Sequence, residues 1–284
     1  MNPKKPNQNN IFVFFALAAL LMLLVQSAAA ANSGGEREAM SRLYETVGGE
    51  ATPYSWYTVR TKDHTTPPIA SELSFITEHG GYYADTDAET RGDRVIYLTF
   101  DAGYENGNIE KILDTLKEKG VTGAFFILEN MIERFPALVL RMKDEGHLVC
   151  NHTSDHHDMS SVTDFDVFSE ELTSLDEKYR ALTGESIAPY YRPPEGKFTE
   201  LNLEYAQKLG YDTIFWSLAY ADWDNDAQPS REYAIKKLSD NTHSGAVILL
   251  HPTSSTNAEI LGEMIDIWRN DGYRFGTLDE LTGK

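Results

Sequence analysis

From residue 95 onward the chain alternates short β-rich apolar runs with amphipathic stretches, and that alternation leaves few folds open. The strand-like runs fall at 95–100, 123–128, 147–151, 189–192, 212–216, 246–250 and 273–277. Between them apolar residues recur at the three- and four-residue spacing of a helix with one buried face. Ile109, Ile112, Leu113 and Leu116 form one such set, Leu138, Val139 and Met142 a second, and Phe168, Leu172, Leu175, Tyr179 and Leu182 a third. Further helices are expected at 201–209 and 230–238, and over Ile260, Leu261, Met264, Ile265 and Trp268. Gly120, Gly146, Gly184, Gly210 and Gly272 stand where these helices should end, as left-handed caps require. Seven strands alternating with helices predict one α/β domain around a parallel sheet, either a barrel or a doubly wound sheet.

The first 31 residues stand outside this pattern. Lys4 and Lys5 precede an apolar run at 11–25, and small residues follow at 27–31, the layout of a secretory signal peptide. The run is shorter than the roughly 20 residues a spanning helix needs. Cleavage and export are therefore expected, with an uncleaved membrane anchor as the alternative. Residues 32–93 carry Pro67, Pro68 and several aromatics, among them Tyr54, Trp56 and Tyr83, and read as an irregular lead-in packed on a main domain at 94–284. Acidic residues outnumber basic ones 44 to 25, a formal net charge of −19, which argues against nucleic acid or an anionic membrane as the main partner. Nothing in the sequence implies a protein partner. The single cysteine, Cys150, excludes a disulfide framework and a multi-cysteine zinc site.

In parallel α/β folds the working residues lie at the carboxyl ends of the strands. There this chain places Asp101, His152, Arg192, Asp222 and His251, a set that packing alone does not explain. His152 and His156 stand four residues apart beside His157, and two imidazoles at that spacing can face one divalent ion if the segment turns helically. Asp101 suits a metal ligand, a base or a helix cap, although Asn106 and Asn108 stand closer to the helix start. Arg192 precedes two prolines, which stiffen its loop. Asp222 sits beside Trp223, an aromatic that fits either a core or a sugar-binding rim. His251 closes a fully apolar strand, where a backbone-satisfied core histidine is the alternative.

Taken in order, TFDAGYENG, NHTSDHH, RPPEG, WSLAYADW and LLH resemble the five motifs of the carbohydrate esterase family 4 polysaccharide deacetylases, the NodB homology domain, over about 190 residues. The lead-in together with TFDAGYENG more narrowly resembles the branch that deacetylates N-acetylmuramic acid in peptidoglycan, towards the muramic δ-lactam of spore cortex. The resemblance implies a distorted (β/α) barrel of seven or eight parallel strands. It implies Asp101 as catalytic base, His152 and His156 as metal ligands, Arg192 as the residue holding the base, Asp222 as the acid tuning the catalytic histidine, and His251 as general acid. Glu195 matches the position whose backbone N–H serves the oxyanion. The implied cofactor is a divalent ion, zinc first, with cobalt or manganese as alternatives. The implied partner is the peptidoglycan glycan strand, in the cell wall or spore cortex.

Two departures stand out. Ala102 occupies the place where the family usually has a second Asp as third metal ligand, and His157 the place of a usual proline, so His157 is a candidate substitute ligand. Lys197, just after RPPEG, is the nearest cation in sequence for the lactyl carboxylate of a muramic residue. The readings that compete with a muramic deacetylase are an N-acetylglucosamine deacetylase acting on peptidoglycan or chitin oligomers, and a non-catalytic glycan-binding barrel.

Overall fold

The computed structural model describes residues 49–61 and 63–284; the expected signal segment and the first part of the lead-in lie outside the described residues. The lead-in contributes a two-residue strand β1 (Tyr54–Ser55), a 3-10 segment (Ser71–His79) and a second short strand β2 (Gly81–Tyr82). Then follow β3 (Val95–Ala102), α1 (Ile109–Lys119), β4 (Ala124–Ile127), α2 (Glu129–Arg134), α3 (Pro136–Asp144), β5 (Leu148–Asn151) and α4 (Phe165–Thr183). The chain continues through β6 (Ala188–Tyr191), β7 (Lys197–Phe198), α5 (Glu200–Lys208), β8 (Asp212–Ile214), α6 (Arg231–Asn241), β9 (Ala246–Leu250), α7 (Ser255–Asn270), β10 (Arg274–Phe275) and α8 (Leu278–Thr282).

Eight strands form one sheet in the order β10-β3-β4-β5-β6-β8-β2, with β9 also paired to β3, and all of these ladders are parallel. Past β8, Leu218 bridges Ile248 of β9, and Ala84 bridges Ala246. The sheet therefore curls round until its far side meets β9 through single bridges, which makes the barrel distorted and decides against an open, doubly wound sheet. Helix positions follow the apolar spacing: Ile109, Ile112, Leu113 and Leu116 are buried on α1, and Ile260, Leu261, Met264, Ile265 and Trp268 on α7. The five capping glycines all adopt positive φ.

Inside the barrel, alternate strand residues share one face. Val95 and Tyr97 of β3, Ala124 and Phe126 of β4, Cys150 of β5, Tyr190 of β6, Ile214 of β8 and Val247 of β9 pack together there. Burial pushes the Cys150 thiol well above its ordinary range, as an inert packing residue requires. The described lead-in is more than a cover. β2 adds a parallel edge to β8, and Trp56 packs with Leu73, Ile76, Tyr83 and Phe215. Its ring stacks on Phe215 at 4.6 Å between centroids, and its Nε1 donates to the Trp216 carbonyl at 2.8 Å. Such an aromatic pair contributes about 0.5–1.5 kcal/mol beyond its buried area, enough to fix the lead-in against the end of β8.

Candidate active site

Followed towards their carboxyl ends, the interior rows change from apolar to reactive. On β3 the row runs Val95, Tyr97, Thr99, Asp101; from β5 it runs Cys150 to His152; from β6, Tyr190 to Arg192; from β9, Val247, Leu249, His251. The two-residue period that builds the core thus also aims these side chains into one space. They meet at a cavity of about 1010 Å³ whose wall includes Asp101, His152, His156, Trp223 and His251.

Arg192 is fully buried, with its guanidinium 4.2 Å from the Phe126 ring centroid. It donates Nη1 to Asp101 Oδ1 (2.7 Å), Nη2 to Thr99 Oγ1 (2.9 Å) and to the Phe215 carbonyl (3.2 Å), and Nε to the Ile214 carbonyl (2.9 Å). Burial alone would raise the Asp101 pKa, but the charge and hydrogen bond of Arg192, with the His251 charge, outweigh it and hold the carboxyl below its ordinary value. Asp101 is therefore an anion with Oδ2 left for chemistry, 3.7 Å from His152 Nε2.

On the other side of the cavity Asp222 is fully buried and surrounded by donors. It accepts the His251 ring Nδ1–H and the His251 main-chain N–H, both at 2.8 Å, and Asn257 Nδ2 at 2.6 Å. Burial alone would lower the His251 pKa, yet the hydrogen bond and charge of Asp222 carry it above the ordinary value. With Nδ1 committed, Nε2 is the atom that faces substrate. One cavity wall therefore carries a carboxylate held ionised and an imidazole held towards its protonated form, the division of labour that acid–base hydrolysis needs.

A scan against family models matches residues 88–214 to the polysaccharide deacetylase family. The chain is 39% identical over 230 residues to the peptidoglycan-N-acetylmuramic acid deacetylase PdaA of Bacillus subtilis, covering 81% of this chain and 86% of that protein. The chain belongs to the polysaccharide deacetylase family. The solved structure of B. subtilis PdaA, described as a family 4 carbohydrate esterase, superposes with a TM-score of 0.77 at 37% identity, over 82% of this deacetylase and 97% of that chain. A peptidoglycan-N-acetylglucosamine deacetylase of Bacillus cereus is 31% identical over 191 residues, 66% of this chain and 67% of its own.

The donor set of the deacetylase fits a divalent ion. His152 is buried, its Nδ1 donates to the Arg192 carbonyl at 2.8 Å, and burial pushes its pKa down to about 4. The ring is neutral at neutral pH, with its Nε2 lone pair free to ligate. The His156 ring lies 5.0 Å from it, centroid to centroid. Ala102, fully buried, supplies no donor, so two histidines would hold the ion and leave positions open for substrate. The segment between them is not helical, so the condition attached to the four-residue spacing is not met and other backbone geometry brings the rings together. Thr153 and His156 both take positive φ, 73° and 59°, which costs about 1–3 kcal/mol each. Asn151 Oδ1 accepts the Thr153 N–H at 2.9 Å and Thr153 Oγ1 accepts the His156 N–H at 3.0 Å, offsetting that cost.

Three further expectations are corrected. His157 does not line the cavity; its Nδ1 lies 2.7 Å from Glu171 Oε1 on α4, which also accepts the main-chain N–H groups of Ser154 and Asp155 through Oε2. Lys197 is likewise off the wall, its Nζ held between Glu195 (2.8 Å) and Asp158 (3.2 Å). Asn106 and Asn108 do not cap α1 with their side chains; both donate Nδ2 to the Thr253 carbonyl, and the Glu105 carboxylate accepts the N–H groups of Gly107 and Ile109. Glu195 lines the cavity with φ of 55°, and Trp223, 61% exposed, stands 6.3 Å from the His251 ring. Sequence reasoning missed Arg60, Tyr104, Tyr233 and Lys237, all on the wall. Tyr104 stands within TFDAGYENG, just past the end of β3, and that motif could have pointed to it; no motif or strand end marks the other three, which only the fold brings there.

Proposed function

We propose that this chain hydrolyses the 2-acetamido group of N-acetylmuramic acid in peptidoglycan strands, working outside the cytoplasm in the cell wall or spore cortex. The observation that carries the reading is the pairing of Asp101, ionised by Arg192, with His251, charged by Asp222, across one cavity. Asp101 takes a proton from the attacking water, and the oxygen adds to the acetyl carbonyl carbon. His251 Nε2 gives its proton to the departing amine as the carbon–nitrogen bond breaks, and Asp222 keeps the imidazole oriented throughout. Acetate and a free amino sugar leave. His152 and His156 would hold a divalent ion, zinc first, which when bound polarises the acetyl carbonyl as a Lewis acid. Glu195 serves the oxyanion through its backbone N–H, and Trp223 offers a face to a sugar ring.

The choice of a muramic substrate rests on the likeness to B. subtilis PdaA, and it is tested by incubating purified protein with peptide-free glycan strands and with chitin oligomers. Acetate release with the mass loss of one acetyl on muramic residues is expected. Loss confined to glucosamine residues would move the substrate to the N-acetylglucosamine class while leaving the hydrolytic chemistry in place.

A further inference from the structure

Arg60 and Lys237 line the cavity, and neither has a carboxylate partner among the described residues. The chain has 44 acidic residues to 25 basic ones, so acids are in excess, yet none pairs with either cation among the described residues. Many cations elsewhere are taken up by acids, Lys178 by Glu129 and Glu133, Arg274 by Asp93 and Glu280, Lys197 by Glu195 and Asp158, and others by rings or carbonyls, as Arg94 by Tyr273 and Arg269 by the Lys119 carbonyl; what sets Arg60 and Lys237 apart is that both stand on the cavity wall. Of the carboxylates on the wall, Asp101 is bound by Arg192 and Glu195 by Lys197, so both are already neutralised locally. The two cations therefore face the cavity with their charge uncompensated.

Each is also placed. Arg60 Nη2 donates to the Ala219 carbonyl at 2.5 Å, three residues before Asp222, which fixes the guanidinium while its other N–H groups have no partner among the described residues. Lys237 lies one turn beyond Tyr233 on α6, and residues four apart on a helix share a face; both reach the wall, with Tyr233 52% exposed. An exposed aromatic beside an unpaired ammonium suits a sugar ring that carries an anion.

We propose that Arg60 and Lys237 form an anion subsite that receives a carboxylate carried by the glycan, so that they select acidic over neutral strands. This rests on the deacetylase reading above. Two sources supply that chemistry in peptidoglycan: the lactyl group of a muramic residue freed of its peptide, or a carboxylate of an attached peptide. The subsite is open to solvent, so its attraction is screened by salt.

The test compares the wild type with the Arg60→Gln, Lys237→Gln double variant on four substrates: peptide-free strands with a free lactyl carboxylate, the same strands with that carboxylate converted to a methyl amide, peptide-bearing strands, and chitin oligomers. KM and kcat are read from acetate release, and strand binding is read separately on an Asp101→Asn background with and without the double change. On whichever carboxylate strand is the source, the double variant should raise KM about tenfold more than on the amidated strand, in line with two partly solvated ion pairs. The wild-type KM should rise with salt and the variant KM should rise less. A preference for peptide-free strands identifies the lactyl carboxylate, and a preference for peptide-bearing strands identifies the peptide. Equal losses on acidic and amidated strands, or no loss on either, would overturn the subsite. If no muramic strand released acetate, the substrate reading would fail alone, because the binding arm would still reveal whether the two cations discriminate charge.

Discussion

The replacement Asp222→Asn tests the acid half of the site most directly. Asp222 faces three donors and none of its contacts is an acceptor: the His251 ring, the His251 main chain and Asn257 Nδ2. A carboxylate can accept from all three; an amide has one oxygen and must turn its NH2 towards at least one donor. If the oxygen keeps the imidazole, the NH2 group meets the His251 main-chain N–H and Asn257, and a buried unsatisfied group costs about 1–3 kcal/mol of stability. The larger effect is on catalysis. A hydrogen bond to a charged group contributes about 1.5–3 kcal/mol, so removing the anion should lower the His251 pKa. A general acid must be protonated, so activity falls as pH rises through its pKa. The raised wild-type value extends activity upward in pH, and Asp222→Asn should move the basic limb of kcat/KM to lower pH. The loss should be about 10–100-fold above neutrality and smaller at low pH. The assay is acetate release against pH, with a urea melt to register the stability term and NMR titration of the His251 ring to locate its pKa. An unmoved basic limb, with activity lost equally at every pH, would refute the assignment of His251 as an acid tuned by Asp222.

Asp101→Asn and His251→Ala should each lower turnover at least about 10²-fold with an unchanged circular dichroism spectrum; near wild-type rates in either would remove that residue from the mechanism. The acid limb of the pH profile should lie below the ordinary carboxylate range, because Asp101 must be ionised to act and its pKa is lowered; inactivation already complete near the range of a free carboxylic acid would contradict the Arg192 argument. Chelation should abolish activity and added Zn²⁺ or Co²⁺ restore it, with a calorimetric binding signal lost in His152→Ala; activity indifferent to chelator would remove the ion. Glu171→Ala frees the Ser154 and Asp155 N–H groups and His157, so it should weaken metal binding about 10–100-fold while α4 keeps its helicity; unchanged affinity would mean that the histidine loop holds itself.

The strand ends were legible because one physical rule serves two purposes. The alternation that makes residues 95, 97 and 99 an interior row also aims Asp101 into the cavity, and the same holds for Cys150 with His152, while Tyr190 leads to Arg192, buried behind Asp101. Short elements were not legible: β2 has two residues, too few for any period, and its place beside β8 depends on pairing that only the folded chain defines. The turn at the histidines was left open because spacing reports how many residues separate two rings, not the φ values between them. Lys197 misled for a related reason. Nearness in sequence to the RPPEG loop says nothing of which acids compete for an ammonium, and Asp158, far along the chain, is one of the two that capture it. Arg60 and Lys237 lie 177 positions apart with no motif around either, so nothing in the sequence joins them.

Arg192 spans the barrel interior, tying Asp101 and Thr99 on β3 to the carbonyls of Ile214 and Phe215 at the end of β8. Two of those partners are main-chain groups and one is a threonine, so most of what the guanidinium does would survive the loss of the base. In a relative whose catalysis has decayed, selection for a stable barrel would go on retaining this arginine long after the carboxylate had gone. An intact arginine is therefore weak testimony to a working enzyme. The Asp222–His251 pair testifies better, since it buries a full negative charge whose main reward is a proton held ready at the cavity wall, and a barrel with no reaction to run gains little by keeping it.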